Sequence, residues 1–103
     1  MGPLELESHV EGNRATVVVR GEVDIATSPQ LREMLHSLVA AGANDLVLEC
    51  EDLGFLDSSG ISVLIAIRNQ LGETGALTIS SPPAHVRKVL ELTGMSQHLS
   101  IVP

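Results

Sequence analysis

The chain of 103 residues has very little cysteine and very few aromatic side chains. Its single cysteine, Cys50, excludes a disulfide within the chain and a cysteine-based zinc site. One Phe and no Trp or Tyr accompany a hydrophobic content of 44%, so any core must be built from aliphatic side chains. We therefore expect an aliphatic core without a disulfide.

Basic residues are also scarce, since six Lys and Arg stand against thirteen Asp and Glu and give a net charge of -7. A nucleic-acid surface needs clustered Lys and Arg, so nucleic-acid binding is not expected. No run approaches the roughly 18 apolar residues of a membrane helix, and the N-terminus lacks a signal-peptide pattern. We therefore expect one domain over residues 1–103, in the cytoplasm and without a membrane partner.

The first third of the chain shows two strand patterns followed by a helix start. Residues 4–10 alternate apolar and polar side chains, residues 11–13 form a turn signal, and residues 15–20 are mostly β-branched. This pattern predicts an antiparallel hairpin. Thr27 and Gln30 then have the spacing of a capping box at the start of a helix.

Strands and helices alternate along the rest of the chain. Strands are predicted at 45–50, 76–80 and 99–102, and helices at 58–71 and after residue 84. The resulting order β-β-α-β-α-β-α-β predicts an α/β fold with a mixed, mostly parallel sheet. Functional loops of such sheets follow the carboxyl ends of parallel strands. We expect the 51–58 loop there, with Asp24 close to it.

The helix predicted at 58–71 is apolar from Ile61 to Ile67, with only Ser62 interrupting. A helix that lies on a sheet needs only an apolar stripe. Two explanations remain open at this point: neighbouring helices cover these side chains, or some of them face a partner.

Asp57 and Ser58 are expected at the N-terminus of that helix. Asp or Ser there commonly caps the free backbone N–H groups, which is a purely structural role. The same position also tolerates an added phosphate, because the helix dipole is positive at this end. The residues alone leave both explanations open.

Enzyme chemistry finds little support in the sequence. Ser58 and Ser59 lack the Gly-x-Ser-x-Gly pattern of a hydrolase nucleophile, no His pair has metal-ligand spacing, and no glycine-rich phosphate loop occurs. Asp57 could correspond to the phosphoacceptor of a response-regulator receiver. However, a receiver does not open with a hairpin, and the only lysine here, Lys88, lies within a predicted helix. We expect no catalytic activity, cofactor, metal or small-molecule substrate.

Three blocks together resemble the STAS domain, and more narrowly the small free-standing anti-sigma factor antagonists of bacteria. They are residues 21–24 (Gly-Glu-Val-Asp), 57–60 (Asp-Ser-Ser-Gly, behind Leu-Gly-Phe-Leu) and 92–95 (Leu-Thr-Gly-Met). The resemblance extends from the first strand to about residue 102. After Gly60 the chain departs from the pattern, because Ser62 stands where many members have a second glycine.

The resemblance implies a regulatory protein without catalysis. In such proteins the serine that matches Ser58 is phosphorylated by an anti-sigma factor that is also an ATP-dependent serine kinase. The unphosphorylated form binds that kinase and frees the sigma factor, and a PP2C-type phosphatase restores this form. By the same resemblance, Asp24 and Asp57 flank the phosphorylation site, and Ser59, Gly60 and Ile61 complete its surroundings. A STAS-like interaction subunit of a larger sensory assembly, never phosphorylated, is the alternative.

Overall fold

The computed structural model describes residues 3–103, and this part of the chain contains six strands, three α-helices and one short 3₁₀ helix. The strands are β1 (Glu5–Glu11), β2 (Arg14–Val23), β3 (Asp45–Glu49), β4 (Leu53–Leu56), β5 (Ala76–Ser80) and β6 (Ser100–Val102). The helices are α1 (Ser28–Ala40), α2 (Ser58–Leu71) and α3 (Ala84–Leu92), and the 3₁₀ helix is Met95–Gln97.

The main sheet has the strand order β1-β2-β3-β5-β6. Only β1 is antiparallel to its neighbour β2, through the hairpin turn at Gly12, whose φ is +61°. The pairs β2–β3, β3–β5 and β5–β6 are parallel. The prediction of a mixed, mostly parallel sheet with helices is therefore confirmed.

The strand β4 corrects the predicted order, because residues 51–58 were expected to form only a loop. The pairing of β2 with β3 ends at Val18, and the last residues of β2 pair instead with β4. Gly21 makes this change of partner possible: its φ is +104°, its N–H donates to the Asp52 carbonyl (3.1 Å), and an added Cβ would lie 2.0 Å from the Pro3 carbonyl oxygen. The four residues of β4 are too few to show a reliable alternation of their own.

The core lies between one face of the sheet and the helices. Buried and half-exposed side chains alternate along β2, β3 and β5, as the two-residue period of a strand requires. Against the buried face pack Leu31 and Leu35 from α1 and Val86 and Leu90 from α3. Every large member of this core is aliphatic, in agreement with the composition.

The capping box predicted at the start of α1 is wrong. Thr27 is the N-cap residue, but its side chain makes no cap hydrogen bond. Its hydroxyl instead donates to the Glu22 carbonyl (2.8 Å), and the Gln30 amide donates to the Leu4 carbonyl (3.2 Å). Both side chains thus tie α1 to neighbouring segments, since tertiary partners compete with the local cap.

Candidate functional site

Two segments that are distant in the sequence meet at the carboxyl ends of β2 and β4. In the parallel pairing of β2 with β4, Val23 lies opposite Leu56, and the Asp57 N–H donates to the Val23 carbonyl (3.3 Å). Asp24 and Asp57 therefore each follow one of two neighbouring strands. The expectation that the end of β2 reaches the 51–58 segment is confirmed.

Asp57 is the N-cap of α2. Its backbone is extended, with φ of -117° and ψ of -167°, and its carboxylate accepts a hydrogen bond from the Ser59 N–H at 2.8 Å. A cap of this kind contributes about 1 kcal/mol to helix stability. The structural role considered for this position therefore belongs to Asp57, and Ser58 is left as the first residue of the helix.

Ser58 is exposed to solvent at the positive end of the α2 dipole. Within residues 3–103 its hydroxyl has no hydrogen-bond partner, whereas its carbonyl accepts a bond from the Ser62 hydroxyl at 3.0 Å. The neighbouring Ser59 is half-buried. Of the two adjacent serines, Ser58 thus presents the more accessible nucleophilic oxygen.

Gly60 determines how closely the first turn of α2 approaches the sheet. It is buried, and an added Cβ would lie 2.2 Å from Leu56 Cδ1 and 2.8 Å from Val23 Cγ1. Real Cβ atoms do not approach other atoms this closely, so only glycine fits without a shift of its neighbours. Gly60 therefore holds the start of α2, including Ser58, against β4 and β2.

Ile61 lies beneath this turn rather than on the surface. Its side chain is buried in the aliphatic core, together with Val63, Leu64 and Ile67. Direct contact between Ile61 and a partner is therefore not available, and its part in the predicted surroundings of Ser58 is packing. Ile65 and Ala66 are exposed, so neighbouring elements cover only part of the apolar residues of α2, and contact of the exposed ones with a partner stays a prediction.

Asp24 organises the turn between β2 and α1. Its carboxylate accepts hydrogen bonds from the N–H groups of Ala26 (2.9 Å) and Thr27 (3.0 Å), and the Asp24 N–H donates to the Thr27 hydroxyl (2.9 Å). The hydrogen bond from the Thr27 backbone is the main reason why the pKa of Asp24 lies below its ordinary value, and partial desolvation opposes it. Asp24 is therefore held as an anion beside the segment that carries Ser58.

Sequence reasoning missed the exposed apolar residues Ile25, Phe55 and Leu92. Ile25 and Phe55 lie on the two segments that meet at the site, and Phe55 is the only aromatic residue of the chain. A single apolar residue in a polar turn, as in Asp24-Ile25-Ala26-Thr27, was the available signal for Ile25. Phe55 gave no signal, because its position beside Leu53 and Leu56 is equally typical of a core residue.

Neither a cluster of metal-binding side chains nor a membrane-spanning helix occurs in the described part of the chain. Residues 3–103 contain no group of three or more His, Cys, Asp or Glu side chains that could hold a metal ion. In the same range, no helix combines the length and the hydropathy needed to cross a membrane. Cys50 is buried, and this burial raises the pKa of its thiol to about 12.

The fold and the helix start at Ser58 define a class of protein. The family model described as "Mlab, STAS domain" matches residues 8–103, and the chain belongs to the STAS domain family. The resemblance seen in the sequence is thereby confirmed.

The relatives of this chain within the family carry a more specific name. The chain is 30% identical to an anti-sigma F factor antagonist of Paenibacillus polymyxa, over 95% of its own length and 87% of that protein. A crystal structure of an anti-sigma factor antagonist from Mycobacterium paratuberculosis shares the fold with a TM-score of 0.89, 25% identity, and coverage of 97% of this chain and 86% of that one.

The Bacillus cell fate determinant SpoIIAA, solved in its phosphorylated form, has the same fold. Its TM-score is 0.73 at 24% identity, covering 97% of this chain and 91% of SpoIIAA. The names of these relatives describe regulatory binding proteins rather than enzymes.

Proposed function

We propose that this chain is an anti-sigma factor antagonist that is switched by phosphorylation of Ser58. In its unphosphorylated form it binds an anti-sigma factor that is also a serine kinase, and the sigma factor is released. The observation that carries the proposal is the exposed Ser58 hydroxyl, without a partner among the described residues, at the start of a capped helix. The chain itself supplies no catalytic group. The binding of the anti-sigma factor and the release of the sigma factor take place in the cytoplasm.

The chemical step takes place on the kinase. The Ser58 oxygen attacks the γ-phosphorus of ATP, the bond from that phosphorus to the β-phosphate oxygen breaks, and ADP leaves. The hydroxyl proton passes to a base of the kinase. A PP2C-type phosphatase reverses the modification by hydrolysis of the phosphoserine.

Phosphorylation changes the surface without disturbing the fold. The phosphate adds about -1.5 to -2 charges at neutral pH, and the N-terminus of α2 tolerates this charge. At the interface, however, the phosphate adds to the negative charge of the Asp24 and Asp57 carboxylates, which follow the paired ends of β2 and β4. A repulsion of a few kcal/mol weakens binding by a factor on the order of a hundred or more. SpoIIAA, which shares this fold, has been solved in a phosphorylated form.

Intact-mass analysis with site mapping tests the modification. The protein is incubated with Mg-ATP and each anti-sigma factor kinase of the organism that encodes it. We expect the mass of one phosphate, retained in Ser59→Ala and Ser62→Ala and lost in Ser58→Ala. A phosphate that persists in Ser58→Ala contradicts the assignment of the site.

Binding measurements test the switch itself. We expect Ser58→Ala to bind the kinase in the presence and absence of ATP, and Ser58→Asp to bind poorly. Equal affinity of these two variants rules out the electrostatic account.

A second function has two observations in its favour. The matching family model is described as "Mlab, STAS domain" and does not name an antagonist, which leaves room for a STAS-like interaction subunit that is not phosphorylated. Ser62, in place of the second glycine, also departs from the antagonist pattern. Tight binding of a partner without any phosphate on Ser58 is the result that selects this function.

A further inference from the structure

The turn between β2 and α1 exposes an apolar side chain that the proposed function does not use. Ile25 is 82% exposed, which is more than any other large apolar residue in the described part of the chain. A single exposed apolar residue is common on protein surfaces and carries little information by itself. The surroundings of Ile25, however, indicate a binding role for this residue.

The backbone on both sides of Ile25 is held in place. The Asp24 carboxylate bonds the N–H groups of Ala26 and Thr27, the Thr27 hydroxyl bonds the Glu22 carbonyl, and the Ser28 N–H donates to the Asp24 carbonyl at 2.8 Å. Ile25 is therefore presented on a preorganised turn. Preorganisation favours binding, because little backbone entropy remains to be lost when a partner covers the residue.

The position of Ile25 connects the turn to Ser58. The residue lies two positions beyond Val23, whose carbonyl accepts the hydrogen bond from the Asp57 N–H. Ser58 lies one position beyond Asp57, so both residues follow immediately from paired strand ends. A partner of standard size covers about 800 Å² of this chain. A kinase that places its active site on Ser58 therefore also covers the neighbouring turn.

We propose that Ile25 is an apolar anchor that the anti-sigma factor kinase accepts in a pocket beside its active site, and that it selects which kinase binds. The proposal rests on the function proposed above and names its specificity determinant. An apolar pocket matches the isoleucine, whereas a kinase with polar groups at this place would bury them without partners. Ile25 also borders a groove between α1 and α2, next to Pro29 and Ala66, which continues the covered surface away from Ser58.

The test compares Ile25→Ser with a matched control, Val10→Ser. Val10 is 53% exposed and pairs with Ala15 in the hairpin, at the opposite end of β2 from Ser58. Full burial of an isoleucine predicts that Ile25→Ser weakens kinase binding roughly tenfold to a hundredfold. The second-order rate of Ser58 phosphorylation should fall by a similar factor. Ile25→Leu should retain most of the affinity, and Val10→Ser should bind as the unaltered chain does.

The outcomes separate this inference from the proposed function. If Ile25→Ser binds the kinase normally while Ser58→Asp loses binding, the assignment of Ile25 as an anchor is overturned. The proposed switch by phosphorylation of Ser58 is then retained. If the unaltered chain neither binds nor is phosphorylated by any anti-sigma factor kinase of the organism, both are overturned. Thermal unfolding of Ile25→Ser checks that the turn is intact, and we expect no significant change in Tm.

Sedimentation and crosslinking test the identity of the partner. A photoreactive residue at position 25 should crosslink to the kinase, and one at position 10 should not. If the unaltered chain self-associates and Ile25→Ser abolishes this, the side chain is covered by a second copy and the assignment to a kinase is overturned.

Discussion

The hairpin edge and the end of the sheet that carries Ser58 are both exposed and both rich in carboxylates, but they use these carboxylates differently. Along the hairpin strands, Arg20 lies 3.3 Å from Glu7 of β1 and 3.7 Å from Asp52 in the turn before β4, and Arg14 lies 2.8 Å from Asp45 at the start of β3. Near Ser58, the carboxylates of Asp24 and Asp57 accept bonds from backbone N–H groups.

This difference indicates which carboxylates determine the path of the backbone. Ion pairs between exposed side chains contribute little, because water screens them and long side chains lose entropy when they pair. A carboxylate that bonds free N–H groups in a turn or at a helix start fixes the path of the backbone. We infer that the hairpin charges protect an edge strand from association, while Asp24 and Asp57 build the site.

Replacing Gly60 should disrupt the Ser58 end most strongly. In Gly60→Ala the new Cβ meets Leu56 and Val23 at distances that require a shift of both side chains. Overpacking typically costs about 1–3 kcal/mol, partly offset by the better helix propensity of Ala, so we expect a net loss of about 1–2 kcal/mol. Urea unfolding measures it.

Gly54→Ala is the matched control for Gly60→Ala. Its Cβ would meet only the Gly21 carbonyl oxygen, at an ordinary 3.5 Å. We expect a change within about 0.5 kcal/mol in the same urea experiment. Equal losses in the two variants contradict the assignment of close packing to Gly60.

The pair Asp57→Ala and Asp52→Ala compares the two uses of a carboxylate directly. Loss of the α2 cap in Asp57→Ala should reduce the free energy of unfolding by about 1 kcal/mol, and Asp57→Asn should restore most of it. Asp52→Ala removes only a distant contact with Arg20 and should stay within about 0.5 kcal/mol. An equal loss in both variants contradicts the claim that the capping carboxylate contributes more to stability than the exposed ion pair.

Added salt should weaken the ion pairs of the hairpin strands more than the helix cap at Asp57. Arg20→Met removes the ion pairs with Glu7 and Asp52, and we expect a loss below about 1 kcal/mol at low salt. This loss should shrink toward zero in about 1 M salt, where the screening length is only about 3 Å. Chemical unfolding at two salt concentrations measures the effect. A loss for Arg20→Met that does not change with salt points to packing of its side chain instead.

The smallest expected effect is the pH dependence from Asp24. Because the folded chain lowers the pKa of this carboxyl below its ordinary value of 3.8, the ionised form favours folding. The contribution is present in full above pH 3.8 and is lost as the pH falls through the lowered pKa. An NMR titration should place the pKa of Asp24 below 3.8, and acid unfolding of Asp24→Asn should lack this contribution. An unshifted titration contradicts the turn described here.

Much of the fold could be predicted because it follows from local patterns. The alternation in β1, the β-branched run in β2 and the three helices are all visible in residues that are close in the sequence. The helix start at Ser58 was predicted at the correct residue, since Asp57 is a common cap residue. The strand β4 and the contacts of Thr27 and Gln30 were not predictable, because their partners lie elsewhere in the chain.

The resemblance to a family singled out Ser58 as the candidate site, whereas the amino-acid sequence by itself determined the aliphatic core, the acidic surface and the α/β class. Each of these depends on composition or on neighbours within a few residues. Only the tertiary structure decided that Gly60 is closely packed, that Ile61 is buried and that Ile25 is exposed on the turn after β2. The physical reason is that exposure and close approach depend on which strand ends pair, and that pairing joins residues about thirty positions apart.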